Sequence, residues 1–268
     1  MHRFLALLLP LLPALLPAQD GPEGFVIEGR FDAFTTDELG YVYALAGDEL
    51  RLFDPKGRSW LRNSVKTLGR IACIDAFYSL KPMVFAPEQG QLAVLDNTLA
   101  VQGSVINLPR SGFPQVVLAC MSVQNGFWFF DQREMALVRV DAQLRPLANT
   151  GRLDQLLGRT LAPTRMLEHE SRLYVLDPQA GIHVFDLFGT FMRTIPVMGA
   201  ESFSVRGFHL HWFADGMLHE YDMRSFAVRD IPVQGGLEGP VRDARSERGL
   251  LYLLTDAGIT VRTVPDQR

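Results

Sequence analysis

The sequence predicts an all-β fold: a six-bladed β-propeller of four-stranded antiparallel blades, closed by an N-terminal strand. Three observations predict it. Similar segments recur about every 40 residues, as in blade-type repeats. The runs of strand formers are short and bounded by turn residues. Several of these runs are apolar at every position, as strands covered on both faces must be.

The recurrence is carried by an apolar residue followed by Asp at the end of a strand-forming run. The copies are Leu52-Phe53-Asp54, Val94-Leu95-Asp96, Arg139-Val140-Asp141, Val184-Phe185-Asp186 and Glu220-Tyr221-Asp222, with Asp spacings of 42, 45, 45 and 36. A degenerate sixth copy, Thr260-Val261-Arg262, ends 40 residues after Asp222. Other phases keep the period. Asp32-Ala33-Phe34 recurs as Asp75-Ala76-Phe77, and Asp243-Ala244 resembles both. Ile195-Pro196-Val197 recurs as Ile231-Pro232-Val233, each Ile falling 9 residues after its Asp.

Within a unit the chemistry alternates between strand and turn. Leu173 to Leu176 is an apolar run, Asp177-Pro178-Gln179-Ala180-Gly181 is a turn, and Ile182 to Phe185 is the next strand. Asp186 to Gly189 turns again before Met192 to Val197. The first copy repeats the scheme from Tyr41 to Gly57. Gly126-Phe127-Trp128-Phe129-Phe130 and Leu250-Leu251-Tyr252-Leu253-Leu254 are apolar throughout. Leu153 to Leu157 predicts a helical turn between the third and fourth copies.

About 250 residues after the leader described below, in units of about 41, give six blades. The sixth copy runs out after three strands, near Val264, while Phe25-Val26-Ile27 precedes the first complete copy. That strand is expected to complete the last blade and so remove an open edge.

The pattern Tyr-x-Leu-Asp-x-x-x-Gly-Ile-x-Val-Phe-Asp, at Tyr174 to Asp186, resembles secreted six-bladed β-propellers of the broad NHL-like and gluconolactonase-like kind. It is most similar to uncharacterised exported bacterial members. The resemblance spans nearly all of residues 19–268 and implies a fold rather than a reaction, because propellers host enzymes, binders and scaffolds alike. WD dipeptides and kelch double glycines do not recur at the blade period.

Residues 1–18, MHRFLALLLPLLPALLPA, have the layout of a secretory signal peptide: a basic end, an apolar stretch from Phe4 to Leu16, and a small residue, Ala18. The stretch is short for a spanning helix, and Pro10, Pro13 and Pro17 disfavour one. The expected mature chain starts near Gln19 and forms a single propeller domain over residues 19–268, periplasmic or extracellular.

Composition excludes several classes. With 47% hydrophobic residues the chain is not disordered. A net charge of −4 gives no general attraction for nucleic acid. Two Cys and 6 His do not supply a disulfide framework or repeated zinc sites. Against 3 Lys stand 23 Arg, scattered among acids, which suits either a compositional bias or recognition of carboxylate or phosphate by guanidinium groups. No phosphate loop, dinucleotide fingerprint, Gly-x-Ser-x-Gly or His-Glu-x-x-His motif is present.

Four sets of residues are candidates for chemistry. By the repeat register, Asp32, Asp75 and Asp243 fall on inner strands of blades one, two and six, which are neighbours in a closed ring. Three carboxylates converging on the channel suit Ca²⁺, and lactonase-like propellers carry a metal centre. The plainer alternative is that each Asp bonds amides of its adjacent loop. His209 and His211 alternate on one strand face and, with His219, are candidate metal ligands; packing between blades is the alternative. Cys73 and Cys120 are either buried thiols or a bridge, with inner-strand spacing against the bridge. Trp60, Trp128 and Trp212 are expected between blades.

The function expected is an exported, non-enzymatic binding or scaffold propeller of the periplasm or cell envelope, without a cofactor. Its expected partner is another envelope protein or a small ligand at the channel face, not nucleic acid, and the chain is expected to be a monomer. The alternative is a metal-dependent hydrolase of the lactonase type, with Ca²⁺ at Asp32, Asp75 and Asp243.

Overall fold

The computed structural model describes residues 24–64, 66–233, 237 and 239–264. Residues 1–18, expected from the sequence to be a signal peptide, lie outside the described residues. Strand β1 (Phe25–Glu28) is followed by blade one, made of β2 (Ala33–Thr36), β3 (Val42–Ala46), β4 (Glu49–Phe53) and β5 (Ser59–Ser64). Blade two holds β6 (Cys73–Tyr78), β7 (Lys81–Ala86), β8 (Gln91–Val94) and β9 (Ile106–Asn107). Blade three holds β10 (Val116–Ser122), β11 (Gly126–Asp131), β12 (Ala136–Val140) and β13 (Pro146–Asn149). The expected helical turn, α1 (Leu153–Leu157), follows and buries Leu153. Blade four is β14 (Arg165–His169), β15 (Arg172–Asp177), β16 (Gly181–Asp186) and β17 (Phe191–Ile195). Blade five is β18 (Ser202–Arg206), β19 (His209–Ala214), β20 (Met217–Asp222) and β21 (Val228–Ile231).

Blade six has three strands from the end of the chain, β22 (Asp243–Glu247), β23 (Leu250–Leu254) and β24 (Gly258–Thr263), and takes β1 as its fourth. Phe25 pairs with Val261 and Ile27 with Ile259, so the ring closes as the strand count requires. The chain is a six-bladed β-propeller, and no helix of the described residues is long and apolar enough to cross a membrane.

The double-sided apolar strands have a physical cause. In β3, Tyr43 and Leu45 pack toward blade two, while Val42 and Ala44 pack toward blade six. In β11, Phe127 and Phe129 face blade two, while Trp128 and Phe130 face blade four. Side chains alternate along a strand, so a middle strand feeds the cores on both its sides and has no water-facing row.

The recurring Asp also has a local cause. Asp54 Oδ1 accepts the amides of Lys56 and Arg58, Asp96 those of Thr98 and Ala100, Asp141 those of Gln143 and Arg145, and Asp186 those of Phe188 and Thr190. Each carboxylate closes the turn into the outermost strand of its blade. The amide of Arg145 holds the Asp141 carboxyl below the usual carboxylate range.

Of the three Trp residues, Trp128 lies between blades three and four and Trp212 packs against the core between blades four and five, so only Trp60 lies outside the blade interfaces. Trp60 is on the outer strand β5, 56% exposed and against Tyr41 of its own blade. Trp212 stacks on His219 within blade five. The outermost strand of a propeller faces solvent, so an aromatic there has no neighbouring blade to cover it.

Candidate functional site

The six innermost strands, β2, β6, β10, β14, β18 and β22, surround the central channel. Two cavities of about 190 and 350 Å³ occupy it, sharing Thr35, Asp75, Leu167 and Arg245 in their walls. These residues come from blades one, two, four and six, and form a waist between the two spaces.

Strand pairing fixes the levels along the channel. Ala33 pairs with Leu45, Cys73 with Phe85, Arg165 with Leu176, Ser202 with Phe213 and Asp243 with Leu254. One residue earlier, the amides of Asp32, Ala72, Thr164, Glu201 and Arg242 donate to those same partners' carbonyls. Cys73, not Asp75, is therefore the counterpart of Ala33.

The register read from the repeated Asp-Ala-Phe is corrected accordingly. Asp32 lies one position before the level of Asp243, and Asp75 two positions after it. Asp32 precedes β2 rather than lying on it, and accepts the Gly47 amide at 2.7 Å beside a separate cleft between blades one and two. Asp243 accepts from the Ser202 hydroxyl of blade five. Asp75 accepts from Phe77 N at 3.0 Å and, across the blade boundary, from Met121 N at 2.7 Å. The structure does not bring the three together, and among the described residues no group of three or more His, Cys, Asp or Glu side chains is arranged for a metal ion. Asp75 alone faces the channel cavities. Burial pushes its carboxyl up to about 6, against the two amides that favour the anion.

His209 and His211 share a face as expected, with ring centres 6.4 Å apart. They converge on Glu220 rather than on His219: His211 Nε2 lies 2.8 Å and His209 Nδ1 3.8 Å from its carboxylate. His219 pairs with Trp212 across the β19–β20 register, one position from His211, which puts it on the other face, where it bonds Asp230 at 2.6 Å. Cys73 and Cys120 are free thiols. Cys73 Sγ lies 3.6 Å from the Ala119 carbonyl, and burial pushes that thiol up to about 12 and Cys120 well above the ordinary value.

Sequence reasoning did not single out the arginines of the channel. Arg206 is fully engaged: it pairs with Glu247 of blade six and donates to the Thr36 carbonyl of blade one at 3.2 Å. Arg245, 9% exposed, donates from Nη1 to Thr35 Oγ1 at 3.2 Å. Its Nε has no hydrogen-bond partner, and neither has buried Nη1 of Arg165. Burial first, then the neighbouring Arg165 charge, pulls Arg245 down to about 10. The available signal was the pair Asp243 and Arg245, two apart on a strand and so on one face.

No family model matches the chain, and neither does any curated protein sequence. Solved structures match its fold. A streptogramin B lyase is 10% identical with a TM-score of 0.59, covering 90% of this chain and 98% of that one. Virginiamycin B lyase from Staphylococcus aureus is 11% identical, TM-score 0.56, covering 87% and 79%. The Pan2 WD40 domain of Neurospora crassa is 13% identical, TM-score 0.56, covering 89% and 76%. At such identities the likeness shows the fold alone.

Proposed function

We propose that this six-bladed propeller is an exported, non-enzymatic binding or scaffold protein of the periplasm or cell envelope. One observation carries the reading: the inner-strand carboxylates work as ties between blades. Asp75 holds Met121, Asp243 holds Ser202, and Glu168 holds Ser122 and Trp128. Carboxylates committed to a neighbouring blade's donors are not free to act as general bases or to gather round a metal ion. The leader-like layout of residues 1–18 supports export. The partner expected is an envelope protein or a small ligand at the channel face.

The test is recovery of the native protein from the exported fraction, with mass spectrometry of its N-terminus and of whatever co-purifies. A chain starting near Gln19, with a stoichiometric companion and no turnover of lactones with or without Ca²⁺, is the expected result. Calcium-dependent lactone hydrolysis would overturn the reading and establish the hydrolase in its place.

A further inference from the structure

We propose that the smaller channel cavity is a binding site for a small organic carboxylate, held by Arg165 and Arg245 against an apolar wall from blades three and four. The inference rests on the reading of the chain as a binding propeller and names the ligand class of its channel.

The first argument is the state of the two guanidinium groups. A buried N–H without an acceptor is costly, and two of them border one space, on Arg165 and Arg245. The nearby carboxylates do not supply the acceptors. Asp243 Oδ2 stands 4.0 Å from Arg245 Nε, and its Oδ1 is taken by Ser202. Glu247 is taken by Arg206, and Glu168 by Ser122 and Trp128. Asp75 is the one carboxylate in the wall of the smaller cavity, against two guanidinium groups. Arg206, by contrast, is paired, so the unpaired N–H groups belong to Arg165 and Arg245 and not to channel arginines in general. A bound carboxylate accepts from both and offsets their mutual repulsion.

The second argument is shape and polarity. The space measures about 190 Å³, somewhat larger than the roughly 150 Å³ apolar cavity that holds benzene in an engineered protein. Val117 and Leu118 of blade three and Leu167 of blade four line it. In a six-membered ring blade three lies opposite blade six, so this apolar wall faces the blade that carries Arg245. Inorganic phosphate or sulfate would leave that wall uncovered, whereas an acid with a compact apolar body satisfies both sides.

The experiment uses the full exported chain and sodium benzoate, followed by titration calorimetry and by thermal unfolding at matched ionic strength. Benzoate is expected to bind one to one and to raise Tm. Benzamide, the same shape without the charge, is expected to bind at least about tenfold more weakly. Arg165→Leu is expected to lower benzoate affinity by about tenfold or more, and Arg245→Met likewise. Should Arg245→Met fail to fold, Arg165→Leu and the benzamide comparison decide. Absence of benzoate binding, equal binding of benzamide, unchanged affinity in Arg165→Leu, or tighter binding of phosphate would each overturn the site. Loss of the site alongside a captured envelope partner leaves the binding-propeller reading intact. Calcium-dependent lactone hydrolysis removes that reading even if benzoate binds.

Discussion

Trp128 of the third blade donates its indole N–H to Glu168 of the fourth at 2.8 Å, both side chains being buried. The same carboxylate accepts from Ser122 Oγ at 2.5 Å and from Val123 N at 3.2 Å. One acidic side chain thus satisfies three donors of the neighbouring blade. Glu168→Ala leaves two buried side-chain donors unpaired, and should cost about 2–5 kcal/mol in urea unfolding. Glu168→Gln keeps one acceptor and should cost less. A double-mutant cycle with Trp128→Phe should show coupling of about 0.5 kcal/mol or more. Additive effects of the two changes would mean that the pair is not a latch.

Ring closure has a similarly narrow tolerance. Gly258 has φ +152°, and a Cβ there would lie 2.2 Å from the Ile27 carbonyl oxygen of the closing strand. Gly258→Ala must displace β1 and expose the edge of β24. It should lose cooperative unfolding or aggregate. Removal of residues 19–30 should do the same. Gly47→Ala, at φ +63° with open space around it, is the control and should cost only about 1–2 kcal/mol. Equal behaviour of the two variants in a melting experiment would show that closure does not depend on this contact.

The blades and their closure were legible in the sequence because each signal is local. Asp54, Asp96, Asp141 and Asp186 recur because each closes a turn with amides two and four residues on. Their spacing therefore tracks the blade period. The channel was not legible. The β6–β7 pairing shifts register between Asp75 and Tyr78, and connections differ in length, so similar triplets settle at different levels. Arg165 and Arg245 lie two blades apart, and Glu168 meets Trp128 40 residues away. No local pattern encodes which donors a ring closure leaves unpaired.

Asp75 should leave a signature in the pH dependence of stability. Its folded carboxyl is raised from 3.8 to about 6, chiefly by burial. Between those values the folded chain holds a proton that the unfolded chain has released. Stability therefore falls as pH rises from about 4 to about 6 and levels off above. At about 1.4 kcal/mol per unit the contribution is at most about 3 kcal/mol, and the position of Asp75 on the channel wall lowers it. Asp75→Asn should remove this slope in urea titrations across the window. A variant with the slope of the parent would place the titration elsewhere.

The two thiols should be slow to react. With Cys73 pushed up to about 12 and Cys120 well above the ordinary value, both by burial, neither forms thiolate near neutrality. Native protein should react slowly with a disulfide reagent at pH 8, half-buried Cys73 on the channel wall before fully buried Cys120, and two equivalents should appear promptly after unfolding. Rapid modification of Cys120 in the native chain would contradict its burial, and rapid modification of Cys73 would contradict its raised thiol pKa.

The carboxylates once grouped as a metal site should act separately. Asp32 bonds the Gly47 amide, Asp75 the Met121 and Phe77 amides, and Asp243 the Ser202 hydroxyl. These are different blades and different levels of the channel, with no partner in common. Three carboxylates gathered round one cation would behave otherwise, since their repulsion is tolerable only with the cation bound. Loss of any one ligand would then abolish the same stabilisation. In the arrangement found, Asp32→Asn and Asp243→Asn should each cost on the order of 1 kcal/mol, and Asp75→Asn should cost less near neutral pH, where it also removes a buried charge. Double variants should cost the sum to within about 0.5 kcal/mol. Melting temperatures of the parent and all three variants should be insensitive to calcium and to chelator. A calcium-dependent rise in Tm that disappears in every one of the three would restore the metal site and, with it, the lactonase-type hydrolase.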